Sequence, residues 1–364
     1  MVGSTQGIFV GRQREMDALK AALEEAISGH GRLVMLVGEP GIGKTRTAQE
    51  LADQAQESGA QVWWGRCYEE QGTPPYWPWV QAMRSYVRER DSEELLAEMG
   101  AGASNIAEIL PEVKEKFPGL PPPPGLNTPE SARFRLFDSI STFLKVVSRI
   151  QPLVLALDDL HWADKPSLLL LQFVATEIAS SRLMLLGTYR DVKLSRQHPL
   201  SETLAQLSRE PVFQRVRLRG ISEEDSAHFI GFTAGIQPSQ KLVEAIYSHT
   251  EGNPFFMSEV IRLLREQGKL SDETIGRHQG LGIPEGVRVV IGQRLNRLTG
   301  QCNQALTTAS IIGKEFDFRL LSQLSREISE EQLLAVIDEA LEAYVIEESL
   351  GEVEKYQFCH ALIR

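Results

Sequence analysis

The sequence predicts an α/β fold: a parallel five-stranded sheet flanked by helices, followed by an all-helical domain and then a winged-helix domain. Three observations carry this. A short apolar run, Leu33 to Val37, leads directly into GEPGIGKT (Gly38 to Thr45), where a helical pattern opens. Strand-like apolar runs then alternate with helical ones, the signature of a parallel sheet covered on both faces. After Gly220 only helical patterns follow, until three short helices and a hairpin close the chain. The implied divisions are 1–219 for the sheet domain, 220–284 for the helical domain and 285–364 for the winged helix.

The Gly38–Thr45 run fits the phosphate-loop pattern G-x-x-x-x-G-K-[ST] of the P-loop NTPases. Its chemistry needs these residue types in this order. Small residues let consecutive backbone N–H groups turn inward around phosphate oxygens, and the helix N-terminus adds partial positive charge at the same place. Gly38, Pro40, Gly41, Ile42 and Gly43 are the candidate cradle, with Arg46 in the first helical turn. Lys44 can reach the β- and γ-phosphates, and the Thr45 hydroxyl can ligate Mg²⁺. ATP or ADP with Mg²⁺ is the expected cofactor pair.

Size and composition bound the alternatives. The chain has 364 residues, 42% of them hydrophobic, enough for two or three domains with real cores. A net charge of −11 argues against broad attraction to nucleic acid or an anionic membrane. Cys67, Cys302 and Cys359 are far apart, without metal or redox spacing, and read as reduced core thiols of a cytoplasmic protein. No apolar run approaches the roughly 18 residues of a membrane span. The last residues, FCHALIR, form an apolar pattern with no stop signal, as expected of a segment of a longer protein.

In chain order, Met16, Leu19, Leu23, Ala26 and Ile27 share one helical face. The phosphate-loop strand and a helix to about Glu57 follow, then a strand at QVWWG (61–65). From Arg66 to Glu130 the pattern loosens. Pro74 to Trp79 opens a helix whose tryptophans are expected to pack rather than to stack on a base. Six prolines between Pro118 and Pro129 give a stiff extended loop. A helix then runs from Glu130 to about Ser148. The strand PLVLALD (152–158) ends in Asp158-Asp159, and Asp164-Lys165-Pro166 caps the next helix. Further strands are expected at 182–189 and 212–218, with a helix between them. Helices near 222–233, 239–249, 255–267 and 285–298 precede three more near 301–312, 317–325 and 329–342. Strands at 344–348 and 353–358 form the hairpin.

Ligands of such sheets sit at the carboxyl ends of strands, where Gly38, Asp158 and Arg190 all lie. Asp158 is the expected Mg²⁺ ligand with Thr45, and Asp159 the group that orients the attacking water. Asp159 is one methylene shorter than the Glu usual in AAA+ ATPases, which predicts slow turnover. Arg190 at the end of its strand can sense the γ-phosphate or pair with Asp191. Lys44, Asp159 and Arg190 are thus the candidate catalytic residues.

The segments FVGRQREMDAL, GEPGIGKTR, ALDDLHWADKPSL, GTYRD, TEGNPFFMSEVIRLL, IIGKEFDF and FCHALIR together resemble the regulatory STAND ATPases. The likeness is to the LuxR-type large regulators and cyclase-linked ATPases of bacteria. It implies that Val10, Gly11 and Arg12 line the adenine, that Arg190 touches the γ-phosphate, and that Pro254 lies against the base. It also implies that His360 contacts the β-phosphate of ADP and holds the domains closed. The activity implied is that of a slow Mg²⁺-dependent ATPase acting as a signalling switch, in which ADP keeps the domains closed and ATP opens them. Self-association on activation is expected, with sensor or effector modules outside these residues.

Two other readings fit the phosphate loop. In a DNA-acting ATPase of replication-initiator type the winged helix would bind duplex. Residues 328–350, however, hold seven acidic residues and no Lys or Arg, so no direct DNA binding is expected. A small-molecule P-loop kinase leaves the helical and winged-helix regions without purpose.

Overall fold

The computed structural model describes residues 9–68, 74–123, 125, 128–190, 198–266, 268, 292, 295, 296, 298–313, 315–325, 328–343, 345–348 and 355–358. Strands β1 (Arg32–Gly38), β2 (Gln61–Arg66), β3 (Leu153–Asp158), β4 (Leu183–Arg190) and β5 (Phe213–Arg217) form one parallel sheet. Their order is β2-β3-β4-β1-β5. Strand β1 is therefore central, with β4 on one side and β5 on the other.

Strands β1, β3 and β4 are buried on both faces, so they read as continuous apolar runs, while β2 and β5 are partly exposed. Side chains alternate between two cores. Leu33, Met35, Val37, Leu153, Leu155, Leu157, Leu183 and Leu185 face α3 (Trp77–Glu89), α7 (Pro129–Ile150), α8 (Lys165–Glu177) and α9 (Pro199–Leu207). Val34, Leu36, Val154, Ala156, Met184 and Leu186 face α1 (Gln13–Ile27) and α2 (Lys44–Glu57).

The loosely patterned region holds three short helices, α4 (Ser92–Met99), α5 (Ala103–Ile106) and α6 (Pro111–Lys116). Each is too short to show a periodic face, although Asp91 caps α4 by accepting from the Glu93 and Glu94 N–H groups. Trp79 is fully buried and donates to the Ser167 carbonyl at 3.2 Å, so it is a packing residue. Cys67 and Cys302 are buried, and Cys359 lies outside the described residues.

Beyond β5, α10 (Glu223–Ala234), α11 (Gln240–Thr250) and α12 (Pro254–Glu266) enclose a core of their own around Ile230, Ile246, Met257 and Val260. Two glycines let the segment after β5 pass close against the turn between α11 and α12. A Cβ at Gly220 would sit 1.9 Å from the Glu251 carbonyl oxygen, and one at Gly252 2.1 Å from that of Ile221. The helix expected near 285–298 falls almost wholly outside the described residues.

The final region runs α13 (Gly300–Ile312), β6 (Glu315–Asp317), α14 (Phe318–Leu324), α15 (Glu330–Glu342), β7 (Ile346–Glu348) and β8 (Lys355–Phe358). Its three-stranded antiparallel sheet has the order β6-β8-β7. Strand β6 is the addition to the expected hairpin. Three residues are too few for alternation to show, and pairing with Gln357, Tyr356 and Lys355 is what makes it a strand.

Candidate nucleotide site

The phosphate loop joins the end of β1 to α2. Gly41 (φ 80°) and Gly43 (φ 100°) occupy the left-handed region where a side chain brings strain. Gly43 caps α2, whose first turn carries no acidic residue to oppose the partial positive charge of the helix end. Lys44 is buried, and its Nζ donates to the carbonyls of Gly38 and Glu39, each at 2.8 Å. Desolvation, helped by the nearby Arg190 charge, lowers its pKa to about 8.

The acidic pair stands opposite. Thr45 Oγ1 donates to the Asp158 carboxylate, 3.1 Å from each oxygen. Thr188 on β4 bridges the Asp158 carboxylate and the Asp159 backbone. Its hydroxyl donates to Asp158 Oδ1 at 2.5 Å and accepts from the Asp159 N–H at 2.9 Å. Asp159 itself has a left-handed backbone (φ 58°), which turns the chain sharply out of β3. From β2, Arg66 Nη2 reaches Asp159 Oδ2 at 3.3 Å, and Arg66 Nε lies 3.9 Å from Asp158 Oδ2. The hard oxygen pair of Thr45 and Asp158 suits Mg²⁺. Mg²⁺ takes one or two protein oxygens and completes its octahedron with water and phosphate.

Arg190 borders the same cleft, and its guanidinium lies 5.9 Å from the Trp162 ring centre. Asp191, its alternative ion partner, lies outside the described residues. His161 is buried beside it, and burial with the Arg190 and Lys44 charges lowers its pKa to about 3.

The helical region closes the other side. Asn253 Nδ2 donates to the Pro40 carbonyl at 3.2 Å, and the Phe255 N–H donates to the Gly41 carbonyl at 3.3 Å. Asn253 Oδ1 accepts from the Phe255 N–H as well, so Asn253 both starts α12 and grips the loop. A cleft of about 690 Å³ results, walled by Pro40, Gly43, Lys44, Asp159, Arg190 and Pro254, with Phe229 and Phe232 of α10. Val10 and Gly11 line a neighbouring cleft of about 890 Å³ with His228, Phe232 and Pro238. Phe232 borders both.

Most candidate residues from the sequence converge here. Lys44, Thr45, Arg46, Pro40, Gly41, Gly43, Asp159, Arg190 and Pro254 line the first cleft, with Asp158 behind Thr45. Arg46 stacks on Phe9, 5.5 Å from the ring centre. Gly38 contributes a carbonyl to Lys44, while the Ile42 side chain turns into the sheet core. Arg12 lines neither cleft. Its left-handed backbone (φ 68°) sends the buried guanidinium to the Ile42 carbonyl at 2.9 Å and to Glu15, where it braces the loop. His360 lies outside the described residues. Sequence reasoning missed Thr188, Arg66, His161 and Phe232. For Thr188 a signal existed, since it lies two residues before Arg190 and therefore on the same face of β4.

A phosphate loop on the central strand, an acidic pair ending the strand two places away, and this strand order define a P-loop AAA fold, a nucleotide-binding ATPase class. Residues 8–186 match the AAA ATPase domain family. An uncharacterized protein of Rhizobium meliloti (strain 1021) is 21% identical over 380 residues, an alignment covering all of this chain and 35% of that protein. The chain thus spans about a third of the length of the curated relative it matches. Among solved structures, a Walker-type ATPase of Pyrococcus abyssi shares the fold. The TM-score is 0.55 at 16% identity, covering 98% of this chain and 95% of that one. A STAND protein with a tetratricopeptide-repeat sensor from Pyrococcus horikoshii aligns at TM-score 0.39 and 15% identity, covering 98% and 42%.

Proposed function

We propose that this chain is the switch core of a regulatory ATPase of the STAND type, whose bound adenine nucleotide sets the arrangement of its domains. The observation that carries this is the grip of α12 on the phosphate loop. Asn253 and Phe255 hold the Pro40 and Gly41 carbonyls, so the peptide groups that would meet phosphate are the ones the helical region holds.

In this reading the backbone of Gly38–Thr45 and the Lys44 amine bind the phosphates. Thr45 and Asp158 would hold Mg²⁺, which supplies charge neutralisation at the phosphate oxygens. Asp159 orients water, and Arg190 reports the γ-phosphate. Val10, Gly11 and Pro254 take the base, together with Phe232, whose place between the two clefts supports an adenine seat there. His360, on its FCHALIR resemblance, is assigned the ADP β-phosphate. Hydrolysis is slow because Asp159 is short and is paired with Arg66. ADP favours the closed arrangement and ATP the open one that self-associates. Differential binding of about 1–3 kcal/mol supports such coupling.

The test compares ADP with a non-hydrolysable ATP analogue, by calorimetry and small-angle scattering, in wild type and Asn253→Ala. ADP should give the more compact particle, and Asn253→Ala should narrow the difference between the two nucleotides. Identical scattering and unchanged affinity ratios would remove the switch from this chain.

A further inference from the structure

A third cleft, of about 420 Å³, lies between the end of β2 and α3, with Thr45 and Asp158 in its wall. Its donors come from one stripe of α3. Gln81, Arg84, Ser85 and Arg88 stand at i, i+3, i+4 and i+7, so they share a helical face. Val80, Met83 and Val87 of the same helix are buried in the core against the sheet, which fixes the direction of the stripe. The other wall is Trp64 and Arg66, two residues apart on β2, with Tyr68 just beyond the strand. Gln81 ties the walls together: its Oε1 accepts from the Arg66 N–H at 2.8 Å, and its Nε2 lies 3.5 Å from the Tyr68 hydroxyl.

The charge of this cleft runs against that of the chain. Acidic residues outnumber basic ones, 49 to 38, yet three arginines line the cleft beside a single acid, the buried Asp158. Arg66 is engaged by the carboxylates at the end of β3. Arg84 and Arg88 have only one carboxylate oxygen between them, Glu112 Oε1, at 2.6 and 2.8 Å. Arg84 Nε lacks the angle for a hydrogen bond to it. One positive charge of this pair is therefore uncompensated, and like charges at i and i+4 on a helix repel. A structural partner for Glu112 needs one arginine; the second calls for another anion.

We propose that this cleft binds a small phosphate monoester, with the phosphate on Arg84 and Arg88 and the organic body against Trp64 and Tyr68. Guanidinium groups pair with two phosphate oxygens at once, and the Ser85 hydroxyl adds a donor between them. The indole and phenol rings supply an apolar wall. The volume falls in the range of small-ligand sites, roughly 300–1,000 Å³, and leaves room for more than a bare phosphate. The site goes beyond the switch reading, since its ligand is not the nucleotide, and it stands whether or not the chain hydrolyses ATP.

The experiment titrates phenyl phosphate by calorimetry into the protein with and without saturating Mg²⁺ and ADP. One site should appear in both conditions. Ser85→Glu, at an exposed position, sets a carboxylate among the donors and should abolish ester binding while nucleotide affinity and melting midpoint stay unchanged. Arg88→Gln leaves Arg84 on Glu112 and should weaken the ester about tenfold or more, through loss of charge-assisted hydrogen bonds. Inorganic phosphate, without a body to lie on the rings, should bind about tenfold more weakly than the ester. Absence of binding at millimolar ester overturns the proposal, as does unaltered binding in Ser85→Glu. Displacement of the ester by ADP assigns it to the phosphate loop instead, and equal affinity for inorganic phosphate removes the organic body from the site; either result overturns the assignment.

Discussion

Gly41→Ala isolates the contact between the helical region and the phosphate loop. At φ 80° an alanine carries a backbone penalty of about 1–2 kcal/mol. Its Cβ would also lie 2.7 Å from Phe255 Cβ and 3.1 Å from Asn253 Oδ1, so the start of α12 must retreat. Retreat loosens the hydrogen bonds from Phe255 to Gly41 and from Asn253 to Pro40, each worth about 1 kcal/mol net. The expected total is about 3–4 kcal/mol. Gly43→Ala is the control: its φ is 100°, but nothing lies within 4 Å of its Cβ, so it carries the backbone penalty alone. Without nucleotide, Gly41→Ala should melt about 4–8 °C below Gly43→Ala, on the scale of a domain of about 200 residues. Amide exchange should rise in α12 only for the first. Equal midpoints with unchanged exchange in α12 would refute the mechanical link.

The other expectations follow from the same geometry. Lys44→Ala should abolish tight nucleotide binding by calorimetry, and retained submicromolar affinity would contradict the placement of phosphate. The lowered Lys44 pKa of about 8 makes wild-type affinity fall by up to about tenfold per pH unit above that value, because only the ammonium attracts phosphate. Thr188→Val keeps the shape but removes one of the hydrogen bonds to the buried Asp158 carboxylate and leaves the Asp159 N–H unpaired. It should cost about 2–3 kcal/mol in denaturant unfolding. His161 has a folded pKa of about 3, below the ordinary 6.5, so between these values the unfolded chain binds the extra proton. Its share of stability is therefore present above pH 6.5 and falls on acidification, by up to about 1.4 kcal/mol per pH unit. Unfolding curves of wild type and His161→Leu between pH 4 and 7 should diverge in slope accordingly.

The inner strands β1, β3 and β4 were legible because they are buried on both faces. LVMLV, LVLAL and LMLLG cannot be anything but interior, and each expected strand end agrees with the structure to about one residue. The positions Gly38, Asp158 and Arg190 were legible for a related reason, since they end neighbouring parallel strands and so arrive at one edge. Arg66 was not, because its partners depend on strand order, which no local pattern reports. For Arg12, no local pattern reported that its guanidinium donates to the Ile42 carbonyl, thirty residues away. Helices α4 to α6 and strand β6 span too few residues for a periodic pattern to show.

The run Asn253-Pro254-Phe255-Phe256-Met257 has one further consequence. Asn253 and Phe255 hold the phosphate loop, Phe256 is buried in the core of the last three helices, and Met257 is buried in the core of α10 to α12. Five consecutive residues therefore act as a single axle through three bodies. A load applied to the C-terminal helices arrives at the loop as torque on the Pro40 and Gly41 peptide planes, the same planes that would face phosphate. A partner pulling there could unseat a nucleotide it never touches.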